Sequence, residues 1–319
     1  MKNDNKIILS HLRMYWKPLT YFLTILTLYT ISLLSVGMFS NIEGNSFSLH
    51  FGGPYIGKIE MWYSSSSELP FQYREHIENY YSKWISEILF IGPTTVFLSI
   101  ATAYFINKFF TSEIKEGKIV TWLTLPISKQ KIFLMKAVSI IIINIILTSS
   151  VSMVTLIFCS TAQDANKYFL RLFWYCLQFI IFNIFLTTIF IMIGLTLVKK
   201  PSFISILIFT AIIIYIFTMW LLYYFYKSGG GNTPNNPFKG FAAVEFLTLD
   251  KLIMNPLNFG NEFSENKWKD EYKYFWTIYE YFIKDNIYLN IFIPIIYLGS
   301  STAVIYLTSI YIKKIDLFV

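Results

Sequence analysis

Six long apolar runs alternate with polar segments along this chain. They occupy residues 19–40, 86–107, 132–160, 168–198, 202–226 and 287–312. Each is about as long as, or longer than, the roughly 20 apolar residues an α-helix needs to cross a hydrocarbon core of about 30 Å. Backbone amides inside lipid have no water to bond, so each run must satisfy its own as helix. The pattern predicts an all-α polytopic membrane protein with six transmembrane helices in a single domain spanning 1–319. Within the second run, Gly92-Pro93 predicts a kink, because proline removes an amide donor and crowds the preceding turn.

The polar segments have periodicity of their own. In residues 1–18, Ile8, Leu12, Tyr15 and Trp16 fall on one helical face among basic residues, which predicts an interfacial helix in the headgroup region. A secretory signal is the competing reading, but the run at 19–40 is too long for a signal core and lacks a small-residue cleavage site. Residues 41–85 and 227–286 form two large polar loops. Each closes on an aromatic amphipathic stretch, with Tyr73, Ile77, Tyr80, Tyr81 and Trp84 in the first and Tyr272, Phe275, Trp276, Tyr279, Phe282 and Ile283 in the second. A one-sided helix is marginal in water until its apolar face is covered. The two loops are therefore expected to pack on each other as a small extracellular cap, with Tyr80, Trp84, Trp276 and Tyr279 at the contact.

Residues 108–131 make a shorter, basic loop. Ile114, Val120 or Trp122, and Leu125 recur at intervals that place an apolar face on a short helix. Gly117 interrupts the first piece and Pro126 stops the second. Ser128 is the expected N-cap of the third span.

Composition agrees with the runs, and charge adds a direction. Apolar residues make up 55% of the chain and charged residues 14%, where soluble domains carry about 25% charged. The net charge of +7 comes with no basic patch interleaved with aromatics, so nucleic acid is not an expected partner. Six spans put both termini on one side. That side carries 14 of the 26 basic residues but only 4 of the 19 acidic ones. The positive-inside rule then places both termini and residues 108–131 in the cytoplasm, and the large loops outside. Cys159 and Cys176 lie in or beside apolar runs, with neither a disulfide framework nor metal-ligand spacing.

Candidate chemistry is sparse. His11, His50 and His76 lie outside the runs, and Glu87 and Arg171 sit at their outer ends. No ionisable group falls at mid-membrane depth, where ion-coupled transporters keep theirs. There is no H-E-x-x-H and no pair of membrane aspartates. Gly52 to Ile59 has phosphate-loop spacing, but Ile59 stands where a hydroxyl should hold magnesium, so the match is a coincidence. No catalytic set, cofactor site or metal site is expected. Uncharged polar residues remain: Thr95, Ser99 and Thr102 share one face, Asn144 and Thr148 another, and Asn183 and Thr187 a third, near Gln178. Their commoner role is interhelical hydrogen bonding, worth about 0.6 kcal/mol each. The other is a substrate path, for which Thr95, Ser99, Thr102, Asn183 and Thr187 are the candidates.

The stretch Glu116-Gly117-Lys118, then Trp122 to Lys129 (Trp-Leu-Thr-Leu-Pro-Ile-Ser-Lys), then Lys136, resembles the signature of type-2 ATP-binding-cassette permeases over about 25 residues. The layout of N-terminal amphipathic helix, six spans and cytoplasmic ends is similar more loosely, and both large loops exceed the family's minimal pattern. The resemblance implies a permease domain whose loop 108–131 carries a coupling helix that docks on a separate cytoplasmic ATPase. It assigns that docking to Glu113, Glu116, Gly117, Trp122, Leu125, Pro126 and Ser128, and leaves ATP and magnesium to the partner subunit. It implies, besides membrane lipid, a second permease copy or paralogue and an outward-moving amphipathic substrate such as a peptide, antibiotic or lipid-like molecule. The location implied is the plasma membrane of a prokaryote. An alternative of another class is a membrane sensor or immunity component that binds an antimicrobial peptide through its outer loops without moving it.

Overall fold

The computed structural model describes residues 8–10, 12–39, 42–43, 46–47, 84–115, 128–160, 165–198, 200, 202–228 and 287–314. Nearly all of these are helical, and six helices among them are long and apolar enough to cross a membrane. The chain has the character of a multi-pass membrane protein.

Residues 8–10 and 12–14 are helical and lead into α1 (Trp16–Phe39). Leu12 and Tyr15 pack against the core, whereas Trp16 is turned outward at 61% exposure. The buried face of this segment therefore omits Trp16, which the periodicity had grouped with Leu12 and Tyr15. A two-residue hairpin follows, β1 (Ile42–Glu43) antiparallel to β2 (Ser46–Phe47). The two residues between the strands, Gly44 and Asn45, belong to the turn-forming types. Two-residue strands are too short to leave an alternation in the sequence.

The second span is assembled from four pieces. A π-helical stretch Trp84–Thr94 leads into α2 (Thr95–Ile106), a second π-helical stretch Asn107–Ser112 follows, and α3 (Glu113–Lys115) ends it. Gly92 has φ −78° and ψ −112°, a non-helical break just before Pro93. This is the expected kink. Trp220 lies across the break, so close that a Cβ on Gly92 would collide with its indole. The hydrogen-bond ladder lost at the kink is partly replaced by Thr95 Oγ1, which donates to Phe90 O at 2.8 Å.

Helix continues past residue 107 to Lys115, through positions that charge patterning had placed in the loop. The physical reason is apolar: Phe109 and Phe110 are buried and Ile114 packs against the core, so this end of the helix has a face to bury. Four further helices complete the bundle: α4 (Lys129–Ser160), α5 (Ala165–Thr196), α6 (Ser202–Ser228) and α7 (Ile287–Lys314). Ser128 caps α4 as expected, its Oγ accepting from Lys131 N at 3.3 Å.

The second span and α5 form the centre. In the second span 67% of the apolar window is buried, against 17% in α6 and in α7. The α5 helix packs against α2, α4 and α7, and α4 also touches α1. Large apolar side chains on α6 (Phe203, Ile206, Ile214) and α7 (Phe292, Ile295, Leu307) point outward, as a lipid-facing surface requires.

Candidate functional site

Among the residues whose side chains the structure describes, Glu113 and Lys136 are the only buried charged ones. They form a direct ion pair, with side chains 5% and 2% exposed. The local sequence accounts for the meeting. The π-helical turn at Asn107–Ser112 carries the end of the second span inward and leaves Glu113 as the first residue of α3. Ser128 fixes the start of α4, and Lys136 lies about two turns inside it, about 10 Å along the axis. The residues before it, Ile132-Phe133-Leu134-Met135, are apolar, so its ammonium group reaches back to the acid instead of to water.

The ammonium is held on two sides. Lys136 Nζ donates to Glu113 Oε2 and to the backbone oxygen of Phe109, the latter at 2.9 Å. It also lies 5.9 Å from the centroid of the Phe110 ring, in the range of a cation–π contact. Phe110 in turn packs on Phe133 at 5.7 Å between centroids. On the other side the Tyr15 ring packs against Phe109, tilted by 34° with 4.5 Å between centroids. Its hydroxyl makes two long contacts, donating to Glu113 Oε1 at 3.4 Å and to Lys108 O at 3.5 Å. Aromatic rings thus exclude water from the pair, which strengthens it and makes loss of either member costly.

Three segments of chain meet here: the N-terminal segment through Tyr15, the end of the second span through Glu113 and Phe109, and the start of α4 through Lys136. Residues 116–127 run between the second and third of these, so the pair joins the helix before that segment to the helix after it. A fourth element is reached more weakly, since Gln130 Nε2 donates to Ser309 O of α7 at 3.4 Å. The arrangement joins the three segments through an ion pair and aromatic contacts.

No family model, no curated protein and no solved structure matches this chain.

Of the residues assigned to coupling, Glu113 is in the ion pair and Ser128 is the exposed cap of α4. Glu116, Gly117, Trp122, Leu125 and Pro126 lie outside the described residues. So do Tyr80, Trp276 and Tyr279 of the expected cap, while Trp84 begins the second span with its side chain outside the description. The substrate-path candidates are all described and all buried: Thr95, Ser99, Thr102, Asn183 and Thr187. Ser99 and Thr102 donate to carbonyls one turn back at 2.8 and 2.7 Å, and Asn183 Nδ2 donates to Phe179 O at 2.8 Å. One contact crosses between helices, Asn144 Nδ2 donating to Thr102 Oγ1 at 3.0 Å, with Thr148 Oγ1 donating to Asn144 O and Oδ1 at 2.8 and 3.2 Å. In this state these groups join α2 to α4, as packing hydrogen bonds do. Cys176 is buried. Among the described residues no cluster of His, Cys, Asp and Glu could hold a metal.

Sequence reasoning missed Tyr15 as a member of the site, and it placed Lys136 at the entry of the third span without giving it a partner. A signal was present in the sequence. A lysine after four apolar residues in a span, and an acid just beyond Phe109-Phe110, are each expensive alone in an apolar setting, so they seek each other.

Proposed function

We propose that this chain is the permease subunit of an ATP-driven exporter of the ATP-binding-cassette type, resident in the plasma membrane of a prokaryote. Its segment 116–127 receives a separate cytoplasmic ATPase, which binds ATP and magnesium. A second permease copy or paralogue completes the path, and the cargo is amphipathic. The observation that carries the proposal is the buried Glu113–Lys136 pair, which joins the helix leading into that segment to the helix leading out of it. A loop that only set topology would not need a water-free anchor at its base. A loop that receives force would. A partner ATPase would supply the energy for transport.

The experiment is to purify the chain with its ATPase, reconstitute the complex in nanodiscs and follow ATP hydrolysis. The intact chain should hold the ATPase and alter its turnover. Leu125→Asp, which puts a charge on the apolar face of the expected docking helix, should release the ATPase while the permease still inserts. A Leu125→Asp protein that keeps the ATPase bound with normal turnover would sink the assignment.

A further inference from the structure

The N-terminal segment and the first turn of α1 present cations and apolar side chains together on their outward side. Leu12 and Tyr15 pack inward against the core, which fixes the orientation of the opposite side. Leu19 N donates to Tyr15 O at 3.1 Å, so the helical bonding runs across the junction with α1. Leu9, Arg13, Lys17 and Tyr21 recur every fourth residue, and all four are exposed. Met14 and Trp16 flank that row at 58% and 61% exposure. Residues 8–39 contain no Asp or Glu, and among the described residues neither Arg13 nor Lys17 makes an ion pair. An open cavity of about 460 Å³ borders Leu9, Ser10, Arg13 and Met14, within the roughly 300–1,000 Å³ of ligand-binding clefts. The 24 residues of α1 rise about 36 Å, more than the roughly 30 Å of a hydrocarbon core. The polar end, with Trp16 and Lys17, takes the excess and lies at the level of the headgroups.

We propose that this face is a docking site for the headgroups of anionic phospholipids. Arg13 and Lys17 receive the phosphate oxygens, the guanidinium through two parallel N–H donors and the ammonium as a point charge. Leu9, Met14, Trp16 and Tyr21 lie against the glycerol backbone and the first methylenes of the acyl chains. Cations bracketed by apolar side chains match a ligand whose charge and hydrocarbon are covalently joined. Free phosphate would leave the four apolar groups without a partner. A cation held near an anionic leaflet favours it about fivefold, so two of them four residues apart select anionic over zwitterionic lipid. The inference rests on the multi-pass membrane character alone and stands whether or not the chain is a permease.

The test uses the full chain with Cys159 and Cys176 replaced by alanine and a bimane fluorophore attached through Thr24→Cys. Thr24 is exposed and lies about 10 Å along α1 from Lys17, so the label reports on lipid held at the face without occupying it. The labelled chain is placed in phosphatidylcholine nanodiscs that carry a small fraction of phosphatidylglycerol spin-labelled on its acyl chain. A parallel set carries the same fraction of spin-labelled phosphatidylcholine. The anionic lipid should quench the bimane at least about threefold more than the zwitterionic one. In Arg13→Gln with Lys17→Gln this preference should vanish. A bimane attached instead through Ile295→Cys on α7, at 56% exposure, should show no preference. Equal quenching by both lipids at Thr24, or a preference that survives in the double variant, overturns the proposal. So does a preference as strong at Ile295, which would belong to the whole perimeter. Quenching by neither lipid means that protein covers the face, and overturns it too. Inorganic phosphate that erases the preference, where sodium chloride of equal ionic strength does not, marks a free-anion site and overturns the lipid assignment. Should the double variant fail to insert, the parent in rising sodium chloride decides. Screening should then weaken the preference, and a preference indifferent to salt overturns the proposal.

Discussion

Lys136→Met tests the energetics of the site without reference to function. The substitution keeps most of the side-chain volume and removes the ammonium, so the Glu113 carboxylate is left buried with only the long contact from Tyr15 at 3.4 Å. Breaking a buried pair from one side costs about 3–5 kcal/mol, because a lone charge then sits in a dry setting. The loss of the 2.9 Å bond to the Phe109 carbonyl is included in that range. The double variant Glu113→Gln with Lys136→Met removes both charges and should lie within about 1 kcal/mol of the parent. The assay is equilibrium unfolding in mixed micelles by added denaturing detergent, read for the parent, both single variants and the double variant. The coupling energy across the cycle should be at least 2 kcal/mol, the range expected for groups in one ion-pair network. A Lys136→Met protein that unfolds at the parent's midpoint would refute the reasoning, since it would mean that water reaches the carboxylate.

Gly92→Ala should destabilise the bundle by about 1–3 kcal/mol, because the new Cβ would meet the Trp220 indole; in Gly92→Ala with Trp220→Leu the penalty should shrink, as the same unfolding assay would show. Ser128→Ala should cost about 1 kcal/mol through loss of the α4 cap. Cysteines placed at Ser65 and Gly230 should react with an impermeant reagent from outside the cell and one at Ser128 should not; the reverse pattern would invert the orientation argued from charge. A cysteine pair at Tyr80 and Trp276 should cross-link on oxidation if the two large loops pack as a cap, and failure of this and neighbouring pairs would remove the cap.

The helices were legible because a span must be long, apolar and internally bonded, and few sequences satisfy all three. The kink at Gly92-Pro93 and the cap at Ser128 were legible because each depends on a backbone property of one residue type. The extension of the second span to Lys115 was not, since Lys108, Glu113 and Lys115 dilute the apolar count that marks a span, and only the packing of Phe109 and Phe110 shows that the helix has something to bury. The ion pair failed to show for a different reason. Positions 113 and 136 face each other only because a π turn and a capped helix start bring them together, and pairwise geometry of that kind leaves no periodicity. Tyr15 was grouped correctly with Leu12 by helical spacing, but the same spacing included Trp16, which points away. The polar residues of α2 and α4 were recognised on the right faces, while the one bond that joins the helices, Asn144 to Thr102, required the structure.

The spacing of the ion pair also sets a schedule for synthesis. Glu113 leaves the ribosome 23 residues ahead of Lys136. At translation rates of about 5–20 residues per second, the acid waits roughly one to five seconds for its partner. During that interval the Glu113 carboxylate is without the ammonium group it pairs with in the folded bundle. Lys136 arrives only after the loop and the first two turns of α4 have emerged. The two spans therefore gain their full stability in lipid as a hairpin released together. A chain stalled between these two residues would expose an unpaired acid to the bilayer, and membrane quality control would meet its earliest defect there.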